Sequence, residues 1–513
     1  MRRRLRSVCT CLLLVLLPAL HTGCEYVRPT LNAPLEKWEP GGGYRFTNVA
    51  PPGGNNSDSF LFIAAFSGGG TRASSLAFGA LRELANQQIV WEGKRKRLLD
   101  ELDLIHALSG GTFTGGYYAL YRDQIFHDFE YRFLRKDWES ELRHRVFRSP
   151  SNWIRLWSPY FGRAHLMAEL LNEALFDKKT YGDLAALHQR PMLIIHASDM
   201  ATLARFEFTQ FQFDFLCSDL SQLPIADASA ASAALPLVLS PISLKNYANQ
   251  CDFHAPDWLA QAKGGGRIGA QRANELLSLT DAEKRPYIHL LDGGLSDNLA
   301  LRGIIEGSGL QGSFEKLLVM GGVKNVKKLV ILAVNAETSP DVLEFRSDHI
   351  PVISKAMSSM IDIPINRYSF DTTTLINMGV EKWKAELKNN PRSASSPWAP
   401  DADIYFINAS LSEVVDPDER VALQGDVGVA GVQAEPERQR RLARGPVGVA
   451  DEEVLTLGVG VDVAGAGDEL IGEVLGDALE AAAPRGVAPP LRRLHCDCRL
   501  GSHNRWGERR PAN

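Results

Sequence analysis

Short apolar runs alternate with longer amphipathic stretches along the middle of this chain. Residues 60–66 are uniformly apolar, 74–88 carry apolar positions at helical spacing, 102–107 are mostly apolar again, and 115–122 return to a helical pattern. Further strand-like runs follow at 192–197, 206–211, 287–291 and 329–335. Strands in alternation with helices build a parallel or mixed sheet covered by helices, so the pattern predicts an α/β fold.

Outside that region the periodicity fades. Residues 25–58 are rich in Pro, Gly and Asn, densest at Pro51-Pro52-Gly53-Gly54-Asn55-Asn56, and read as a surface tether. Toward the other end the last lysine is Lys388 and the last phenylalanine Phe406, after which Gly, Ala, Val, Asp and Arg dominate. Few large side chains remain there to build a core. Two accounts fit, a weakly structured extension or a reading frame shifted near Leu423, and no function is assigned to the segment. The expected division is a signal peptide over 1–23, a tether over 24–58, the functional body over 59–415 and a low-complexity or frame-shifted tail over 416–513.

The N-terminus changes the setting. Arg2, Arg3, Arg4 and Arg6 precede an apolar run over 11–20, the two parts of a secretory signal. That run is shorter than the roughly 20 apolar residues a spanning helix needs, so cleavage is expected rather than anchoring by a helix. Leu20-His21-Thr22-Gly23-Cys24 resembles a bacterial lipobox, although His21 stands where an aliphatic residue is usual; lipidation of Cys24 is the expectation and plain cleavage the alternative. An exported protein meets an oxidising compartment. Cys217 and Cys251 are then a disulfide or two buried free thiols, and the bridge is the expectation. His495 and Cys496-Asp497-Cys498 lack a partner pair for zinc, so no metal is expected. A formal charge of -5 gives no global attraction to a polyanion, which removes nucleic acid as a default partner.

Three motifs carry the chemistry. Ser67-Gly68-Gly69-Gly70-Thr71-Arg72-Ala73 lies between a strand and a helix, where glycines expose backbone N–H groups and the helix start favours an anion. Ala107-Leu108-Ser109-Gly110-Gly111 follows the next strand and precedes the next helix, the setting of a nucleophile elbow, in which small neighbours let a strained turn lift the serine out of the sheet. Leu291-Asp292-Gly293-Gly294 ends a third apolar run, and its carboxylate can take a proton from a serine within hydrogen-bond reach. Each alone also suits an ordinary tight turn.

In this order the three resemble the patatin-like phospholipase family, as does Ala228-Ser229-Ala230-Ala231-Ser232-Ala233-Ala234-Leu235-Pro236, which looks like its small-residue helix ending in proline. The resemblance implies a three-layer α/β/α fold with a mostly parallel central sheet and a lipid acyl hydrolase that needs no cofactor. It implies Ser109 as nucleophile, Asp292 as proton acceptor, and the neighbourhood of Gly68, Gly69, Gly70 and Arg72 as oxyanion hole, with Ala107, Gly111, Gly293 and Gly294 completing the motifs. Its substrates would be phospholipid or other lipid esters met at a membrane surface, in a bacterial cell envelope or outside the cell; the oligomeric state is left open. Ala107 and Ala73 replace glycines of the family pattern, and Ser67 stands where many members carry Asp.

Other readings remain. A Ser-His-Asp esterase would draw its base from a histidine, with His106 and His289 nearest the motifs. A nucleotide-binding protein would use Gly68 to Ala73 with Glu92 at the end of a second strand, but residues 86–91 are a short and polar run for one. A non-catalytic lipid-binding envelope protein on the same fold is the third. Finally, residues 133–161 interleave Arg135, Lys136, Arg143, Arg145, Arg148 and Arg155 with Trp138, Phe147, Trp153, Trp157, Tyr160 and Phe161. This is either a cap that docks on a bilayer or a helical cap with its aromatics in the core.

Overall fold

The seven side chains of strand β1, Phe60–Phe66, alternate between two interiors. Phe60, Phe62, Ala64 and Phe66 face one apolar cluster, whereas Leu61, Ile63 and Ala65 face another. A strand buried on both faces belongs inside a sheet with a helical layer on each side. The structure, a computed structural model, describes residues 26–49, 56–264, 266–337, 348, 350–389, 395–414 and 459–464. The expected signal peptide with Cys24 and most of the expected tail lie outside these residues.

The other strands are β2 (Leu102–Leu108), β3 (Met192–Asp199), β4 (Arg205–Glu207), β5 (Ile242–Lys245), β6 (Tyr287–Leu291), β7 (Val326–Asn335), β8 (Trp398–Val414) and β9 (Val459–Ala464). Among the described residues they form a nine-stranded sheet in the order β9-β8-β7-β1-β2-β3-β6-β5, with β4 paired to β3. Strands β8, β7, β1, β2 and β3 run parallel, while β4, β5, β6 and β9 pair antiparallel at the margins. The principal helices are α1 (Gly70–Asn86), α2 (Gly111–Tyr121), α3 (Trp138–Phe147), α4 (Pro150–Trp157), α5 (Arg163–Leu171), α6 (Ile225–Ser232), α7 (Arg302–Gln311) and α8 (Ile353–Asn389). Helices α1, α2, α5 and α6 pack in the first apolar cluster; Ile304 of α7 and Ile376, Val380 and Trp383 of α8 fill the second. The result is a mostly parallel sheet between two helical layers, a three-layer α/β/α fold.

Several expectations are revised by tertiary contacts. The segment read as a tether packs on the body over residues 26–49. Tyr44 is buried and its Oη accepts from Leu193 N–H at 2.9 Å, and Asn32 donates to Ser218 Oγ at 2.9 Å and Lys245 O at 2.8 Å. The strand expected over 206–211 ends at Glu207, because Thr209 caps a short helix by accepting Gln212 N–H. Residues Gln88–Trp91 do form a strand, but in a separate hairpin with Lys94–Arg97. The cap aromatics divide: Phe133, Trp138 and Phe161 are buried, whereas Phe147, Trp153, Trp157 and Tyr160 are exposed. Helix α8 has no counterpart among the expected elements. Among the described residues no helix is long and apolar enough to cross a membrane.

Cys217 and Cys251 are bonded, with Cα atoms 5.6 Å apart and a sequence separation of 34. In the chain-entropy account a closed loop of that length stabilises the fold by about 4 kcal/mol. Reduction, or Cys251→Ser, is therefore expected to lower the unfolding free energy by about 3 to 4 kcal/mol in denaturant titration. Identical midpoints for oxidised and reduced protein would remove the bridge from the stability of the fold.

Candidate active site

Strands β1 and β2 are parallel neighbours, so their strand-to-helix turns open side by side at one edge of the sheet. The turn after β2 carries Ser109 at φ 46°, a left-handed conformation that costs a residue with a side chain of order 1 kcal/mol. Three hydroxyls hold it there. Ser232 Oγ at the end of α6 accepts Ser109 N–H at 2.7 Å and donates to His196 O at 2.5 Å. Ser74 of α1 donates to Gly110 O at 2.5 Å, and Thr112 donates to Ser109 O at 2.6 Å. Gly110 has no room for a side chain, since a Cβ there would stand 1.9 Å from Gly70 O. Ala107, fully buried, is accommodated by Gly115, where an added Cβ would lie 3.3 Å from its methyl group.

Asp292 reaches this turn from β6, which lies on the other side of β3. Its N–H donates to Ala234 O at 3.0 Å, just past α6, and Ser198 Oγ donates to its carbonyl at 2.8 Å. The carboxylate is buried: Oδ2 accepts from Ser109 Oγ at 2.9 Å and Oδ1 accepts Gly294 N–H at 2.8 Å. Burial pushes its pKa up to about 6, against the lowering effect of those two hydrogen bonds. Gly293, backed against His196 O, keeps the turn close to the sheet, and Gly111 lies beside Phe66 O in the same way.

The glycine loop lies directly across from the serine. A Cβ at Gly68 would be 3.4 Å from Ser109 Cβ. Gly69 sits at φ 135°, a conformation reserved for glycine, and among the described residues the N–H groups of Gly69 and Gly70 have no acceptor. Two of the four residues expected in the oxyanion hole serve otherwise. Gly68 N–H donates to Asn298 O at 3.2 Å, and Arg72 Nε donates to Ala336 O at 3.1 Å, clamping the loop to the end of β7. Ser67 adds to that clamp by accepting Ala336 N–H at 2.8 Å. Asn298 links the loop, the Asp292 turn and α8, since its amide donates to Ser369 Oγ at 3.2 Å. Ser74, Ser232 and Asn298 were not singled out as site residues. Ser232 sits in the small-residue helix and Asn298 six residues beyond Asp292, but nothing in their spacing reveals a hydrogen bond to another turn.

The rival bases stand elsewhere. His106 Nδ1 and His196 Nε2 are 2.9 Å apart inside the sheet, and burial holds His106 down at about 4 and keeps His196 well below the usual imidazole range. His289 Nδ1 pairs with Ser243 Oγ. Glu92, wanted by a ribose, occupies the hairpin turn and bonds Ser59 and Lys327. His106, His196 and Glu207 form the grouping of metal-ligand types found among the described residues, with ligand atoms within 4.8 Å. Glu207 is ion-paired with Arg205, itself paired with Glu306, and both Arg205 and Arg272 oppose a cation there.

Residues 64–305, which hold all three motifs, match the family model described as patatin-like phospholipase. The chain carries a patatin-like phospholipase domain. Two structures of human GIVD cytosolic phospholipase A2 resemble it at 16% and 14% identity, the second in complex with methyl gamma-linolenyl fluorophosphonate inhibitor and terbium chloride. Their TM-scores are 0.33 and 0.26, and each alignment covers 54% of this chain. The chain spans less than half of either neighbour, 46% and 41%. No curated protein matches it.

Removing the Ser232 hydroxyl would strand the buried Ser109 N–H and free the +φ turn to relax, at about 1 to 3 kcal/mol. Ser232→Ala is expected to lower kcat for ester turnover about ten- to a hundredfold with little change in KM. Unchanged kcat would show that the turn holds itself.

Proposed function

We propose that this protein is an exported lipid acyl hydrolase of the phospholipase type, working through a Ser109–Asp292 dyad. The observation that carries the reading is the 2.9 Å hydrogen bond from the strained, buried Ser109 hydroxyl to the buried Asp292 carboxylate, opposite a glycine turn with unengaged N–H groups. Ser109 Oγ attacks the ester carbonyl as its proton passes to Asp292 Oδ2. The tetrahedral oxyanion is held by Gly69 and Gly70 N–H at the start of α1, where preorganised donors contribute about 3 to 4 kcal/mol. Collapse forms the acyl-enzyme, and the departing alcohol takes the proton from Asp292. Water then attacks the acyl carbonyl with Asp292 again as base, and the proton returns to Ser109 as the acid leaves.

A carboxylate at its ordinary pKa is a feeble base for an alcohol. Burial that raises it to about 6 brings it nearer the operating range of a general base while leaving it ionised at neutral pH. The scheme uses only the chain's own residues and needs no cofactor. The patatin-like match supports phospholipid or another lipid ester as the substrate class, and the membrane surface at which it would be met is proposed with it. Export to a bacterial envelope, with Cys24 lipidated or the signal simply cleaved, is proposed from Arg2 to Cys24, and the Cys217–Cys251 bond suits an oxidising compartment.

Ser109→Ala and Asp292→Asn are each expected to abolish turnover of a short p-nitrophenyl ester and of phospholipid, with no further loss in the double variant. Full activity in Asp292→Asn, with a histidine variant inactive instead, would replace the dyad by a triad. The wild-type kcat/KM is expected to rise with pH through about 6 and then level, because only the ionised Asp292 accepts the proton. The same raised pKa means the folded state holds this proton more tightly than the unfolded chain, so the carboxylate opposes folding once the pH exceeds about 6. Asp292→Asn should accordingly melt no lower than wild type at neutral pH. A flat pH profile between pH 5 and 8 would count against Asp292 as the base.

A further inference from the structure

We propose that the α3–α4 hairpin is a docking surface for an anionic lipid bilayer, an inference that rests on the reading of the chain as a lipid acyl hydrolase. Helix α4 presents apolar side chains outward: Ile154 is 67% exposed and Trp157 91%, and Phe147, Trp153 and Tyr160 are exposed beside them. The Trp157 ring has no polar partner among the described residues, so no hydrogen bond or ion pair accounts for its placement. Trp153 differs, because its Nε1 donates to Val146 O at 2.8 Å and ties the hairpin together. Clustered large apolar groups in water mark an interaction surface, and tryptophan and tyrosine favour the bilayer interface.

Charge selects the occupant. Residues 143–157 hold Arg143, Arg145, Arg148 and Arg155 and no carboxylate, on a chain whose formal charge is -5. Arg145 and Arg155 are held by Glu173 and Glu169 of neighbouring elements, and Arg143 lies 3.7 Å from Glu139. Arg148 has no ion pair among the described residues. It lines an open cavity of about 400 Å³ with His144, Arg145, Ser149, Asn152 and Glu169. A basic depression beside exposed tryptophans meets both halves of an anionic phospholipid surface, head groups and the upper acyl region.

The hairpin is joined to the candidate site. Directly after it, Arg163 of α5 donates to Leu237 O at 2.6 Å, and Ala164 N–H donates to Ser240 Oγ at 3.2 Å. The loop so gripped leaves α6 just after Ala234, whose carbonyl holds Asp292, and its own Leu237 is 55% exposed. The segment that follows the hairpin is thus tied to the loop that leaves α6, on which Leu237 is itself exposed.

The test uses full-length protein carrying Ser109→Ala, so that binding is read without turnover, and vesicles of zwitterionic phospholipid with or without an anionic phospholipid. Ile154→Ala with Trp157→Ala is expected to weaken vesicle binding at least about tenfold. Arg148→Glu should weaken binding to anionic vesicles at least about fivefold, leave zwitterionic vesicles unaffected, and reduce the salt sensitivity of binding. With Ser109 left intact, the same surface variants should keep wild-type hydrolysis of a soluble short-chain ester. If the double variant fails to fold, Trp157→Ala alone carries the test. Undiminished vesicle binding in these variants overturns the proposal, as does loss of vesicle binding only with Met360→Glu on the exposed face of α8. A wild-type dimer that the hairpin variants dissolve overturns it too, by assigning the surface to a second copy. Absence of soluble-ester hydrolysis in the wild type would sink the hydrolase reading while leaving vesicle binding to be judged by itself.

Discussion

Two backbones pressed together at Gly70 and Gly110 set the terms for the rest of this fold. Because a Cβ on Gly110 would fall 1.9 Å from Gly70 O, the turns after β1 and β2 can stack only as bare backbone. That approach brings the start of α1, with its unengaged N–H groups, across from the Ser109 hydroxyl. It also explains why strands β1 and β2 must be parallel neighbours, since only then do both turns open at the same edge. The hydroxyls of Ser74, Ser232 and Thr112 hold what the stacking alone would leave strained.

Burial then works on the ionisable groups in two ways. Among the described residues no cation offsets the burial of Asp292, so desolvation raises its pKa and makes the carboxylate a better base at a cost to stability above that pKa. Behind it, the same desolvation keeps His106 and His196 neutral, which removes them as charge carriers and leaves them packed as a hydrogen-bonded pair. Arg205 is treated differently. It is buried with Glu207 and Glu306 as partners, and that attraction outweighs desolvation and keeps Glu207 down at about 2.

The outer shell of the domain is less uniform than its core. Phe133, Trp138 and Phe161 are drawn inward by aromatic neighbours, Trp138 stacking on Phe133 and Phe161 on His165. A few residues away, α4 is too short and too amphipathic to cover its own apolar face against α5, so Ile154 and Trp157 remain in water. Helix α8 shows the same division along its length: Ile376, Val380 and Trp383 fill the second core, while Met360 and Ile363 near its start are exposed.

The sequence by itself determined the alternation of strands and helices, because buried parallel strands need unbroken apolar runs such as Phe60–Phe66, and those runs are visible without coordinates. It also marked Ser109, Asp292 and the glycine loop, since a strained turn between close backbones tolerates so few residue types that small residues at fixed spacing betray it. Tertiary structure alone decided which N–H donors near Ser109 are engaged among the described residues. Gly68 and Arg72 look equivalent to Gly69 and Gly70 in the motif, yet Asn298 O and Ala336 O, far away in the chain, engage the first two. It decided as well that residues 26–49 cover the body instead of tethering it, through a buried Tyr44 and Asn32 whose partners lie well over a hundred residues on. Local spacing constrains dihedral angles and faces; it carries no record of which distant donor or acceptor a fold will bring alongside, and hydrogen bonds are decided by that proximity.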